Sequence, residues 1–301
     1  MTAEPARRAD VRTHRRAVAT LLFCCLLWSI AGVVTRHLDS ARSFEVTFWR
    51  SFFCAVALAT WFLWREGRRA IVHIRASGQP GLVSGLCWAL MFVCFMVALT
   101  LTSTANTLVV NSLSPLVTAL LAWAVLRARI AAHTWIAIAL AIVGMMIMFG
   151  GAIGDASPTA ALGMLIALGV PLAAAVNLVN IKRTHADVDL APAVLIGAVV
   201  SAAVMLPLAL PVAATARDIA MLAVLGVFQL AVPCVLLIRA ARHLSAPETA
   251  LLGMTEVLLG PLWTWLFASE TPTPATLAGG SIVVAALVLN ELWSQAQRTR
   301  R

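Results

Sequence analysis

Between Ala17 and Trp293 the chain divides into ten apolar runs, at about residues 17–35, 44–64, 80–101, 104–126, 133–151, 159–181, 190–212, 218–238, 246–267 and 274–293. Each is near the roughly 20 residues that a helix needs to cross about 30 Å of hydrocarbon. A segment surrounded by lipid must satisfy its own backbone hydrogen bonds, which leaves helices or a closed barrel, and these runs lack the alternation of barrel strands. The expected fold class is an all-α integral membrane protein with ten transmembrane helices. Composition agrees: 61% of the 301 residues are hydrophobic and 12% charged, where soluble chains carry about a quarter charged. The net charge of +9 would suit nucleic acid only if it formed a patch. Its positions say otherwise.

Lys and Arg accumulate on the cytoplasmic flanks of membrane spans. Five precede the first run (Arg7, Arg8, Arg12, Arg15, Arg16), and every second loop after it is rich in them, as in Arg65, Arg68, Arg69 and Arg75, or Lys182 and Arg183. Arg36, Arg42 and Arg217 alone fall on the opposite side, and Arg50 lies inside the second run. Both termini are therefore expected in the cytoplasm, with an even number of spans. The basic start before an apolar run imitates a signal peptide, but a run reaching Val34 with many spans behind it reads as an uncleaved first helix. The six cysteines all lie in apolar runs without a CxxC pair, so neither a disulfide framework nor a metal site is expected.

The stretch Ala246 to Glu270, which holds the ninth run, has an earlier copy in Thr104 to Ala128. A shift of 142 positions sets Thr249 on Thr107, Leu258 on Leu116, Leu262 on Leu120 and Trp265 on Trp123. Five spans per copy is an odd number, so the copies must run in opposite senses across the membrane. Such inverted repeats suit secondary transporters, which hold a site near the midplane and alternate its access. The expected units are a basic tail (1–16), a first repeat (17–151), a linker (152–158), a second repeat (159–293) and a basic tail (294–301).

The segments LLWSIAGVVTRHL (Leu26 to Leu38), FWRSFF around Arg50, SLSPLVTALLAWAVL (Ser112 to Leu126) and TEVLLGPLWTWLFASE (Thr255 to Glu270) resemble EamA-type members of the drug/metabolite transporter superfamily. The resemblance implies a bacterial inner-membrane exporter of small metabolites such as amino acids, and it favours an inward-facing Arg50. The family usually ends its repeat helix with Gly-Glu, whereas here the copies end in Arg127-Ala128 and in Glu270. It commonly has Glu-Pro in the second copy. Here Glu256 precedes Val257 and the proline is Pro261, which puts the expected helix break a turn later.

Candidate substrate-binding residues are Trp28, Arg50, Asn111, Asn177 and Glu256. An ionised carboxylate at mid-bilayer is costly, so Glu256 should be paired, hydrated or protonated; its repeat counterpart is the neutral Ser114. Arg50 is likewise unmatched, falling against Ile196 or Gly197. Its side chain could snorkel outward or turn to a substrate carboxylate or to Glu256. Asn106, Asn111, Asn177, Asn180 and Gln229 are amides at membrane depth, for which helix–helix bonding is the ordinary explanation. Asn111 and Asn177 are the deepest. Most of the ten Trp residues lie near span ends, as interfacial belts do, and Trp28 is the aromatic expected on a cavity wall. The pairs Gly81/Gly85 and Gly279/Gly280 suit close helix crossing within the bundle or between two protomers.

No P-loop, HExxH or GxSxG motif is present, and Ser84 has no base near it in sequence, so no enzyme activity and no cofactor are expected. The partners expected are a small-molecule substrate, the lipid bilayer, protons as a coupling ion, and a second copy in a homodimer. Two alternatives stay open. One is transport of nucleotide sugars or other metabolites within the same superfamily, and the other is a membrane scaffold subunit without a transport cycle.

Overall fold

The structure, a computed structural model, describes residues 3–30, 34, 37–41, 43–67, 69–102, 104–150, 157–184, 188–268 and 273–300, without the side chains at 3–11, 43, 104, 105, 149, 260, 261, 264, 265, 267, 268 and 297–300. Glu270, most of the expected linker and the side chains of Pro261 and Trp265 lie outside the described residues.

Among the described residues helices follow one another from end to end, and no strand occurs. In order they are α1 (Ala3–Ser29), α2 (Ser43–Glu66), α3 (Arg69–Ala76), α4 (Gly78–Leu101), α5 (Thr104–Asn111), α6 (Ser114–Leu126), α7 (Ala132–Phe149), α8 (Pro158–Ala167) and α9 (Gly169–Arg183). Then come α10 (Ala191–Ala209), α11 (Ala216–Val224), a π-helical segment (Leu225–Ala231), α12 (Val232–Ala241), α13 (Ala246–Gly253), α14 (Thr255–Ala268) and α15 (Pro274–Arg300). Among the described residues seven stretches are long and apolar enough to cross a membrane, at Phe44–Glu66, Gly78–Leu101, Asn106–Leu126, Pro158–Arg183, Ala191–Ala209, Ala216–Ala241 and Pro274–Ala296, and Ala132–Met148 is a shorter apolar helix. The first and ninth expected spans fall on α1 and on α13 with α14. Large apolar side chains such as Phe23, Leu63, Leu165 and Phe228 are exposed, as lipid-facing residues are.

Several spans are interrupted, each for a local reason. In the first repeat helix the turn at Ser112 and Leu113 separates α5 from α6, and Pro115, which cannot donate an N–H, is accommodated in the first turn of α6. In the second the interruption is at Met254, directly after Gly253, and the backbone then stays helical through 261. The break expected a turn later at Pro261 is thus corrected. Gly253 ends its segment 142 positions after Asn111 ends the other (253 less 111), so both copies break at the same place. In the eighth expected span the ring of Pro233 would press on the carbonyl of Gln229 in a regular helix. The wider π turn of Leu225–Ala231 lies just before it, an irregularity often found at functional sites.

Helices from the two halves interleave. α4 packs on α9 and α10, α2 on α10 and the π segment, α1 on α12 and α14, α6 on α9 and α13, and α7 on α15. Lipid supplies no hydrophobic drive for such contacts, so close approach depends on small residues and on hydrogen bonds. A Cβ on Gly85 would lie 2.7 Å from Ile196 Cγ2, one on Gly197 2.8 Å from the Gly85 carbonyl, and one on Gly279 would collide with the Gly144 carbonyl. The crossings expected of Gly85 and Gly279 are therefore within the chain, on α10 and α7. At one end of the bundle the Glu45 carboxylate accepts from the backbone N–H groups of Ala213 and Ala214 at 2.9 and 2.8 Å. Asp218 accepts from those of Asp39, Ser40 and Thr215 at 2.7, 3.1 and 3.1 Å. These bonds tie the loop before α2 to the loop before α11.

Candidate functional site

A cavity of about 240 Å³ lies between the halves, and Trp28, Arg50, Asn111, Asn177 and Glu256 all line it. Its geometry is set by the interruptions. Asn111 is the last residue of α5, and Ser114, at the start of α6, donates to its side-chain carbonyl at 3.2 Å. Glu256 falls in the first turn of α14, where the positive end of the helix dipole favours a carboxylate. The repeat break thus presents Ser114 to the cavity from one half and Glu256 from the other.

Arg50 reaches its place through a close helix contact. A Cβ on Gly226 would lie 2.7 Å from the Arg50 carbonyl, 2.7 Å from Phe53 Cβ and 3.0 Å from the Cys54 nitrogen, so glycine lets α2 lie directly on the π segment. One turn on, Gln229 Oε1 accepts from the Arg50 guanidinium (Nη2) at 2.6 Å, and Gln229 Nε2 donates to the Trp28 carbonyl at 3.4 Å. A chain of contacts thereby joins α2, the π segment and α1. Arg50 Nε is buried without a hydrogen-bond partner. Among the described residues no ion pair joins Arg50 to Glu256, so the inward arginine meets an amide rather than the acid. The two charges line one cavity with apolar and amide groups around them.

Asn177 is buried and accepts from Ser84 Oγ at 2.6 Å, linking α9 to α4. Asn180 donates to the Pro80 carbonyl at 2.8 Å, and Asn106 to Thr102 Oγ1 at 2.8 Å. Both act as helix fasteners and neither lines the cavity. Three features escaped the sequence reading. Gln229 was grouped with the fasteners but is the partner of Arg50. Trp28 was the sole aromatic expected on the wall, yet Trp88, Phe92 and Phe95 also line it. Thr47, one turn before Arg50, and Ser51, directly after it, add hydroxyls, and Ser51 bonds Ser201 at 3.0 Å. The i, i+4 spacing Trp88–Phe92 was a signal, since it puts two rings on one helix face.

An interleaved helical membrane bundle whose broken helices frame a mostly apolar cavity with a few polar groups is an architecture that suits a small-molecule transporter. Residues 15–150 and 161–292 each match the EamA-like transporter family, and the chain is a member of that family, its domain present twice. It is a transporter rather than an enzyme. Among curated relatives it is 28% identical over 246 residues to the pseudopaline exporter CntI of Pseudomonas aeruginosa strain UCBPP-PA14, covering 81% of this chain and 84% of that one. It is 24% identical over 279 residues to an S-adenosylmethionine uptake transporter of Rickettsia felis, covering 92% of each. A solved crystal structure at 16% identity covers 94% of this chain and 99% of its own with a TM-score of 0.76, a likeness of fold.

Proposed function

We propose that this protein is a secondary active transporter of the inner membrane that exports small zwitterionic metabolites such as amino acids by alternating access. The observation that carries the reading is that Arg50 and Glu256, each unmatched in the other repeat, line one small cavity together with Asn111 and Asn177. A substrate carboxylate would pair with Arg50 and a substrate amine with Glu256, while Trp28 would pack on its apolar part. The volume, about 240 Å³, is below the roughly 300–1,000 Å³ of pockets for drug-sized ligands. That size favours a small metabolite over a nucleotide sugar.

The units for the cycle are two inverted repeats of five spans, 17–151 and 159–293, with a linker at 152–158, ten crossings in all and both termini cytoplasmic. The packing supports this arrangement. Moving five spans along converts the α4–α9 contact into that of α12 with α1, and the α6–α9 contact into that of α14 with α1, while α2–α10 and α7–α15 map onto themselves. That exchange is what a two-fold relation between the repeats requires, and an odd number of spans per repeat would put its axis in the membrane plane. Glu256 at a helix start inside the bundle is the group we assign to proton coupling.

The test is efflux of labelled amino acids from preloaded vesicles, with and without a pH gradient. Wild type should release at least one of them, Arg50→Ala should abolish release, and Glu256→Gln should remove the dependence on the gradient. Gradient-dependent efflux unchanged in Glu256→Gln would refute the coupling role, and release unaffected by Arg50→Ala would refute the site.

A further inference from the structure

At the opposite end of the bundle from the Glu45 and Asp218 loop ties, three side chains meet that the transport site does not use. His14 on α1, Glu248 on α13 and Glu291 on α15 place one nitrogen and two oxygens within 4.8 Å of one another. His14 Nε2 is 3.4 Å from Glu248 Oε1 and 3.1 Å from Glu291 Oε1. His14 is 1% and Glu248 4% exposed. We infer that these three residues form a binding site for one divalent transition-metal cation, such as Zn²⁺ or Mn²⁺.

The geometry and the charge both point to a cation. Ligand atoms about 2.0–2.2 Å from a first-row metal lie roughly 3–3.5 Å from each other, which is the spacing of both imidazole–carboxylate pairs, and the two carboxylates lie within 4.8 Å of one another. Two carboxylates facing one imidazole leave negative charge in a buried place, and burying charge without compensation is costly. A dication cancels it, and an imidazole with two carboxylates is a donor set for Zn²⁺ or Mn²⁺. Glu248 Oε1 supplies the independent observation, because it is buried with no hydrogen-bond partner and faces His14. Its other oxygen is committed, since Oε2 accepts from Ser245 N–H at 3.0 Å and Ser245 Oγ at 3.3 Å in a capping box. That box fixes the carboxylate so that Oε1 points at the site. Gln295 Nε2 donates to Glu291 Oε1 at 2.7 Å and orients the second carboxylate as outer partners do in metal sites. The nearby Arg12, Arg15 and Arg16 are exposed and outside the cluster. The site joins the start of the first half to the last two spans of the second, and its ligands are 234 (248 less 14) and 277 positions from His14.

The experiment is calorimetric titration of chelator-treated, detergent-purified protein with Zn²⁺, with Co²⁺ as a visible-absorption probe and Mg²⁺ as a control. One Zn²⁺ per protomer is expected, with a Co²⁺ ligand-field band and a raised melting temperature from binding to the folded state. Affinity should fall at least tenfold in each of His14→Ala, Glu291→Gln and Glu248→Gln, and Mg²⁺ should not compete. Glu248→Gln retains a capping-box residue, and His14→Gln replaces His14→Ala if the latter does not elute as a single species. The inference is overturned if wild type binds no Zn²⁺ saturably, which would make the cluster an ion-paired fastening only. It is also overturned if binding persists unchanged in the His14 and Glu291 variants, because the ion would then sit elsewhere.

Discussion

Gly226→Ala adds one methyl group at the contact that sets Arg50 in place. Its Cβ would sit 2.7 Å from the Arg50 carbonyl and 2.7 Å from Phe53 Cβ. Both neighbours are backbone or at the root of a side chain, so no flexible tip can give way. A comfortable C···O separation of about 3.3–3.6 Å requires α2 to retreat by roughly 0.6–0.9 Å. Added to the 2.6 Å between Arg50 Nη2 and Gln229 Oε1, that displacement reaches the limit of a useful hydrogen bond, about 3.2–3.5 Å. Overpacking of this kind costs about 1–3 kcal/mol of stability. A displacement approaching 1 Å of a substrate-positioning group lowers turnover by up to about 100-fold. The assay is vesicle efflux at matched protein abundance beside a melting curve in detergent. Gly150→Ala is the control, since a Cβ there meets nothing within 4 Å and Gly150 does not line the cavity, so both readings should stay near wild type. Equal efflux and equal melting for the two variants would refute the argument that Gly226 positions Arg50.

Gln229→Leu removes the acceptor of the Arg50 guanidinium and should cost about 1.5–3 kcal/mol in substrate binding, roughly 10- to 150-fold in the concentration for half-maximal transport; an unchanged value would show that Gln229 is only a fastener. Asp218→Ala strips three backbone N–H groups of their acceptor. It should lower the melting temperature, by about 1–3 kcal/mol of stability, and an unaltered melt would mean that the loop tie is not needed. Asn180→Ala deletes a bond outside the cavity and should leave half-maximal transport unchanged, whereas Asn111→Ala should raise it; the reverse order would contradict the assignment of these amides.

What the sequence made legible was what depends on local pattern. The apolar runs located the helices because each must satisfy its own backbone. The lone charges Arg50 and Glu256 stood out because membrane depth makes charge rare, and the 142-residue shift matched copies that break at equivalent positions. What it hid depends on distant pairs. Gln229 and Arg50 are 179 positions apart, so an amide that looked like helix glue gave no sign of its partner. A proline inside an apolar run points to a break at Pro261, yet the chain interrupts at Met254 after Gly253 and stays helical through 261, because the break belongs to the repeat and not to the proline. His14 lies in a basic tail that charge counting treated only as a topological signal, and its two acids are on other helices. No spacing motif could have joined them.

The central claim is that the cavity between the repeats is the transport path, open to one side of the membrane and then the other. Asn111→Cys, in a protein whose six native cysteines are replaced, can be exposed to a membrane-impermeant maleimide in right-side-out and in inverted vesicles. Labelling from both sides, slowed by the transported amino acid, is the predicted result. Labelling from neither side, or from one side only under every condition, would contradict alternating access through this site.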